Sequence, residues 1–174
     1  MPNWCDNSLT VSHPDKEMMQ KFADGVRNGN LFATFIPCPE DKAADWYGWN
    51  VDNWGTKWDA CEGDFYLDED GLSGNGWFNT AWSPPTPAFQ TLHDMGFSID
   101  ALYHECGMGF AGSWIDGDEN YVDNYYDLFQ EENWRDQVEG EDLRNLLEAE
   151  YESWLESNEE DDEGEDDDTT EEIN

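Results

Sequence analysis

The sequence is short of basic residues, which limits the partners that it can bind. It has 7 Lys and Arg against 43 Asp and Glu, for a formal net charge of −36. Binding to DNA or RNA depends on clustered cations that neutralise phosphates, and no such cluster occurs here. The composition therefore excludes direct binding to nucleic acid. Repulsion between the negative charge of the chain and anionic lipids likewise excludes docking on an anionic membrane surface.

Recognisable metal, redox and targeting motifs are also missing. The four cysteines (Cys5, Cys38, Cys61 and Cys106) contain no Cys-x-x-Cys pair, and the three histidines lack metal-ligand spacing. We therefore expect no metal and no cofactor. The first residues lack the basic and apolar regions of a signal peptide, and no apolar run has transmembrane length. These absences predict a cytoplasmic protein with reduced thiols.

Aromatic residues, by contrast, are abundant, and they indicate a folded chain. They make up 15% of the 174 residues and include 10 Trp, whereas disordered acidic chains are poor in aromatics. The charge is uneven: residues 1–130 carry a net −17 and residues 131–174 a net −19. We predict a folded domain over 1–130, an amphipathic helical segment over 131–157 and a disordered acidic tail over 158–174. The tail either solubilises the protein or competes for a basic surface.

Hydrophobic periodicity predicts an α+β domain. Residues 3–12 alternate as a strand, and Ser12 is expected to cap a helix that stops at Gly29. Residues 31–39 are expected to form a packed loop or an edge, at the start of a long insert to residue 57 that is typical of a functional or specially packed loop. The remaining predicted elements are strands at 58–67 and 77–82, a helix from Ser83-Pro84 to Gly96, and strands at 97–103 and 107–115, with Tyr121-Val122 as a possible extension. This order predicts a ferredoxin-like (split βαβ) antiparallel sheet with two helices on one face.

The C-terminal region carries one further helix, predicted over about 140–156. Its apolar residues recur at spacings of three and four, and its other face is acidic: Leu143, Leu146, Leu147, Tyr151, Trp154 and Leu155 form the stripe. This stripe must be buried, either on the protein's own domain or on a partner.

Catalytic chemistry has weak support in the sequence. Glu105 and Asp59 are the best candidates for a carboxyl with a raised pKa, because each lies beside apolar or aromatic residues. The alternative is that each accepts hydrogen bonds from buried N–H groups or pairs with Lys57. No nucleophile–base arrangement accompanies them, so we predict that the protein is not an enzyme. The glycines from Gly107 to Gly112 are expected to permit a tight hairpin or a bulge and not to form a phosphate loop.

The densest local motif combines tryptophans with one of the few cations. It runs Asn53-Trp54-Gly55-Thr56-Lys57-Trp58-Asp59, and Trp82 and Glu105 are grouped with it as predicted binding residues. The rings could complete the core under a loop, with a cation–π contact to Lys57. They could instead form a recognition surface, since tryptophans are frequent interaction hot spots.

Five segments carry a family resemblance. They are Met1-Pro2-Asn3-Trp4-Cys5-Asp6-Asn7, Phe35-Ile36-Pro37-Cys38-Pro39, the motif from Asn53 to Asp59, Thr80-Ala81-Trp82-Ser83-Pro84-Pro85 and Tyr103-His104-Glu105-Cys106-Gly107. In this order they resemble the YubB-like ferredoxin-fold family of plasmid and bacteriophage proteins. The resemblance covers roughly residues 1–126. It implies a ferredoxin-like domain in a bacterial host cell and implies no reaction.

Charge and resemblance together favour a binding protein. The leading hypothesis is a non-enzymatic accessory protein of a phage or mobile element that binds a protein with a basic surface, as a mimic of nucleic acid. The alternative is a module that binds a small ligand or peptide through Trp54, Trp58 and Trp82, with a tail that only solubilises. The sequence predicts no particular oligomeric state.

Overall fold

The computed structural model describes residues 3–162 and the side chains of residues 3–158. The chain forms two compact units that divide between Asn124 and Tyr125, a few residues before the predicted boundary at 130. Most of the predicted acidic tail lies outside the described residues.

The first unit is built on a six-stranded, wholly antiparallel sheet with the strand order β2-β3-β1-β4-β5-β6. Its strands are β1 (Trp4–Ser12), β2 (Cys61–Leu67), β3 (Ser73–Ala81), β4 (Ser98–Glu105), β5 (Phe110–Ile115) and β6 (Asp118–Val122). Its helices are α1 (Lys16–Asn28), α2 (Leu31–Phe35), α3 (Trp46–Trp54) and α4 (Thr86–Asp94), with a 3-10 helix at Glu40–Asp45. The predicted α+β class is confirmed, and the sheet has two strands more than the split βαβ order requires.

Alternation along β1 sets the two faces of the sheet. Cys5, Asn7, Leu9 and Val11 are buried, whereas the residues between them are exposed. A period of two places successive side chains on opposite faces, so one face meets the core and the other meets water. Edge-to-face and tilted ring contacts join the buried face to the helices: Phe22 to Phe65, Phe32 to Phe78 and Phe89 to Trp114.

The start of α1 corrects one sequence prediction. Ser12 does not cap the helix, because it still pairs with Ser73 and Ser98 as the last residue of β1. Asp15 takes that role, and its Oδ1 accepts the Glu17 N–H at 2.8 Å. The predicted stop is confirmed: Gly29 adopts a left-handed conformation with φ of 67°.

The prediction of a packed loop or edge at 31–39, continuing as a loop-like insert to 57, is wrong in its local structure. The segment contains α2, the 3-10 helix and α3, and the two prolines at 37 and 39 lie between helices without interrupting one. Leu31, Phe32 and Phe35 are buried, so the segment does pack on the core. Short helices of this kind have no clean period in the sequence, which is why tertiary burial determines them.

The second unit contains α5 (Tyr125–Leu128), a 3-10 helix (Trp134–Gln137) and α6 (Glu141–Asp162). The α6 stripe packs on the unit's own rings: Tyr151 lies 5.2 Å from Phe129 and 5.3 Å from Trp134, between ring centroids. Leu143 and Leu147 are buried. The helix continues to Asp162, beyond its predicted end near 156. Among the described residues, no helix has the length and apolarity needed to cross a bilayer.

Candidate functional site

Motifs that are far apart in the sequence meet at one end of the first unit. The Thr56 hydroxyl donates to the Ala81 carbonyl at 3.0 Å, and the Ser83 hydroxyl donates to the Gly55 carbonyl at 2.6 Å. The Trp82 N–H donates to the Asn3 carbonyl at 3.0 Å. These three bonds join the segment after α3, the end of β3 and the start of β1. The structure therefore brings together several of the segments that carry the family resemblance.

A buried polar network holds this junction. The Asn7 amide donates to the Cys5 carbonyl at 3.0 Å, the Phe78 carbonyl at 3.2 Å and the Thr80 hydroxyl at 3.0 Å. The Thr80 hydroxyl in turn donates to the Ser83 carbonyl at 2.7 Å. Asn7 and Thr80 are almost fully buried. The donors of this network are all hydrogen-bonded, whereas the buried Asn7 Oδ1 has no hydrogen-bond partner among the described residues. Buried hydrogen-bonded donors favour one geometry, because a rearrangement would leave a donor unpaired.

Trp82 occupies a backbone conformation that is unusual for its size. Its φ is 70°, in the left-handed region, yet 44% of the residue is exposed. This conformation costs a residue other than glycine about 1–2 kcal/mol. Strain of this kind concentrates at functional sites, where the surrounding structure enforces it. Nearby Gly55, with φ of 81°, is required because an added Cβ would lie 2.4 Å from Pro87 Cδ.

Lys57 sits among aromatic rings, as the motif suggested. Its Nζ lies 4.8 Å from the ring centroid of Trp82, 5.0 Å from that of Trp58 and 5.5 Å from that of Tyr47. We refer to these three rings as the Lys57 cage. Trp58 also contacts Trp4, with 6.1 Å between ring centroids. The ion pairs of the described residues do not include the predicted Lys57–Asp59 pair, so Lys57 is held by ring faces.

The predicted binding motif divides between core and surface. Trp54 is 6% exposed and donates its indole N–H to the Ile36 carbonyl at 2.9 Å, so it belongs to the core. Asn53 donates to the Trp49 carbonyl at 2.8 Å within α3. Trp58, at 36% exposed, and Trp82 remain on the surface. The three tryptophans are therefore not buried together, and a surface remains for recognition.

The Asp59 carboxylate accepts hydrogen bonds from nearby backbone N–H groups. Its Oδ1 accepts the N–H groups of Phe32 and Ala60, and its Oδ2 accepts that of Ala33, each at 2.8 Å. Burial raises the pKa of Asp59, and these three hydrogen bonds oppose the rise. The carboxylate thus supplies the start of α2 with the acceptor that a helix N-terminus needs.

Glu105 lies at the β4–β5 hairpin and is 2% exposed. Its Oε1 accepts the Gly107 N–H at 2.6 Å and its Oε2 accepts the Met108 N–H at 2.7 Å. Gly109, with φ of 74°, completes the turn by donating to the Glu105 carbonyl at 3.0 Å. The expected glycine hairpin is confirmed.

A cleft of about 580 Å³ opens beside Glu105 and Trp82. We call it the Trp82 cleft, and its lining residues are Asn3, Trp82, Ser83, Pro84, Glu105, Met108, Phe110, Tyr121 and Asp123. Sequence reasoning identified Trp82 and Glu105 but missed Met108, Tyr121 and Asp123. Of these three, only Tyr121 had a sequence signal, as part of the predicted sheet extension at Tyr121-Val122.

The geometry of metal-ligating side chains and of the Cys5 thiol bears on the chemistry that the described residues can perform. Among the residues that the structure describes, no group of three or more His, Cys, Asp or Glu side chains could hold a metal ion. Burial raises the pKa of the Cys5 thiol, and the charges of Asp6 and Glu105 raise it further. A thiol in this environment stays protonated and is a poor nucleophile.

Comparisons with known proteins add no relative. No family model, no curated protein and no solved structure matches the chain.

Proposed function

We propose that the chain is a non-enzymatic binding protein that attaches to a partner with a basic surface. The observation that carries the proposal is the pairing of exposed tryptophans with a strong surplus of negative charge in the same folded unit. Trp58 and Trp82 are on the surface, and residues 1–124 carry 21 Asp and Glu against 5 Lys and Arg, a net −16. Aromatic anchors supply short-range affinity, and complementary charge speeds association.

Most of the chain's few cations are engaged within the protein. Arg27 pairs with Asp64 at 3.2 Å, Arg135 pairs with Glu148, and Arg144 donates to the Val138 carbonyl at 2.8 Å. Lys57 lies in its cage, and Lys21 lies 4.7 Å from the Phe35 ring centroid. Five of the seven cations are thus held by internal contacts, which leaves carboxylates to dominate the surface field.

Capture from a bacterial lysate tests this proposal. Immobilised full-length protein is incubated at low and at high salt, and captured proteins are identified by mass spectrometry. We expect nucleic-acid-binding proteins at low salt, released by high salt and displaced by added duplex DNA. The matched control is Trp58→Leu, which keeps the charge and should retain less of the same partners. Absence of any basic partner at low salt would refute the proposal.

The second candidate is a module for a small ligand or peptide, with the acidic tail only solubilising. The exposure of Trp58 and Trp82 favours it, since buried rings would leave no such surface. The two candidates differ in their dependence on charge: the partner in the first should be lost at high salt, and the ligand in the second should be retained.

The proposal also includes the detailed topology of the sheet and the biological origin of the protein. We infer a ferredoxin-like core in β1 to β4 with α1 and α4, extended by β5 and β6. The order β2-β3-β1-β4 with antiparallel neighbours supports it. A YubB-like protein of a plasmid or bacteriophage, acting in the cytoplasm of a bacterial host, fits this core and the convergence of the resembling segments.

A further inference from the structure

We propose that the Trp82 cleft binds the cationic side chain of a lysine or arginine from a basic polypeptide. The proposal rests on the proposed function and names the site at which that function is carried out. The cleft volume of about 580 Å³ exceeds that of one long side chain, and its lining combines aromatic faces with carboxylates. An ammonium or guanidinium group suits such a lining, because ring faces attract a cation and carboxylates pair with it.

Glu105 supplies a fixed negative charge at this site. It is 2% exposed, and each oxygen accepts one backbone N–H from the hairpin, so the carboxylate cannot rotate away. Two N–H groups use only part of the four acceptor positions of a carboxylate. No ion pair of the described residues involves Glu105. A buried carboxylate without a counter-ion is costly, and an incoming cation would remove that cost.

The aromatic lining provides the second half of the recognition. Trp82 and Tyr121 are exposed, Phe110 packs against Tyr121 with 5.9 Å between ring centroids, and Met108 is exposed at the rim. These groups can cover the methylenes of a lysine or arginine stem while its charged end meets the carboxylate. Asp123 adds a second negative charge to the lining.

Trp82 already contacts one cation within the protein. The Lys57 Nζ lies 4.8 Å from the Trp82 ring centroid, so the same indole already holds one ammonium group. Trp82, with its φ of 70°, also lines the cleft. None of the lining residues is basic, so no cation from the lining itself occupies the cleft.

Nuclear magnetic resonance titration of the full-length protein tests the site directly. The probe is a blocked tripeptide with a central lysine, and the neutral control replaces lysine with norleucine. We expect saturable shifts of the Trp82 indole and of the Gly107 and Met108 amides with the lysine peptide only. Trp82→Leu should weaken binding roughly tenfold through loss of the cation–π contact.

Variants separate the cleft from the diffuse field of an acidic protein. Asp123→Asn removes a cleft charge and should weaken binding about threefold, within the range of a partly screened ion pair. Glu69→Gln removes one charge from the β2–β3 turn and should leave the affinity unchanged. Glu105→Gln should abolish saturable binding, and because it also disturbs the hairpin, the other variants decide the matter if it fails to fold.

Three results would overturn the proposal: shifts that never saturate, equal shifts with the norleucine peptide, or Trp82→Leu and Asp123→Asn variants that bind as well as the unmodified protein. Failure here differs from failure of the proposed function. A basic partner that is captured from lysate and still bound by Trp82→Leu would leave the proposed function standing without this cleft. Peptide binding without any captured partner would support the cleft as a cation-binding site and would contradict the proposed function.

Discussion

Individual carboxylates have different tasks in a chain that is rich in them. Asp59 accepts three backbone N–H groups, Glu105 accepts two at a hairpin, and Asp123 lines the cleft. Sequence context grouped Asp59 and Glu105 together, because both have apolar or aromatic neighbours. Only the geometry separates them. The Asp59 carboxylate accepts three backbone N–H groups, whereas the Glu105 carboxylate accepts two and lines the Trp82 cleft.

Replacement of Asp59 tests its structural role. Asp59→Asn keeps the shape, but one of its two terminal atoms becomes an N–H₂ donor that faces the Phe32 and Ala60 N–H groups or that of Ala33. At least one backbone donor is then left unpaired, so we expect the free energy of unfolding to fall by about 1–3 kcal/mol. Urea denaturation measures it. Asp52→Asn, at an exposed position in α3, is the control and should change stability by less than about 0.5 kcal/mol. Equal effects of the two substitutions would contradict the assigned role.

At the scale of elements, long periodic segments were predictable and short, tertiary-dependent ones were not. The alternation in β1 predicted a strand that the structure contains, and the strand predicted at 107–115 is present from Phe110 to Ile115. The sheet extension predicted at Tyr121-Val122 lies within β6 (Asp118–Val122). The helix α3 was missed because its tryptophans have no helical period: Trp54 faces the core and Trp46 faces water at the opposite end. The cleft could not be predicted, since Tyr121 and Asp123 come to line the same cleft as Trp82 only through the pairing of β1, β4, β5 and β6.

The pairing of β2 with β3 depends on a glycine without side-chain bulk. A Cβ at Gly76 would lie 2.3 Å from the Asp64 carbonyl oxygen and 2.8 Å from Phe65 Cα, both backbone atoms. Gly76→Ala must therefore push the strands apart, and we expect a loss of about 1–3 kcal/mol in thermal or chemical unfolding. The control Gly48→Ala lies inside α3, where the added methyl meets only the Asp45 side chain. Alanine favours the helix there, so a loss of the same size at both positions would contradict this explanation.

For the whole molecule, negative charge and the cleft act at different ranges. Residues 131–174 hold a net −19 in a quarter of the chain, whereas the cleft belongs entirely to the first unit. A diffuse field acts over about a Debye length and governs how fast a basic partner arrives. Contacts in a cleft govern how long the partner stays. Removing the acidic segment should therefore change the association rate constant, and removing a cleft charge should change the dissociation rate constant.

Deletion of residues 163–174 is the sharpest test of that division. It removes seven carboxylates and no base while leaving every described residue in place. With a short lysine-rich peptide as the partner, we expect a slower association rate constant at low salt, a shallower dependence of that rate on salt, and an unchanged dissociation rate constant. Stopped-flow fluorescence measures both rates. Asp123→Asn in the full chain should give the complementary pattern, with faster dissociation and nearly unchanged association. If the deletion instead accelerated dissociation as much as Asp123→Asn does, the acidic segment would be a contact surface in its own right, because a remote field cannot hold a partner that short-range contacts have already released.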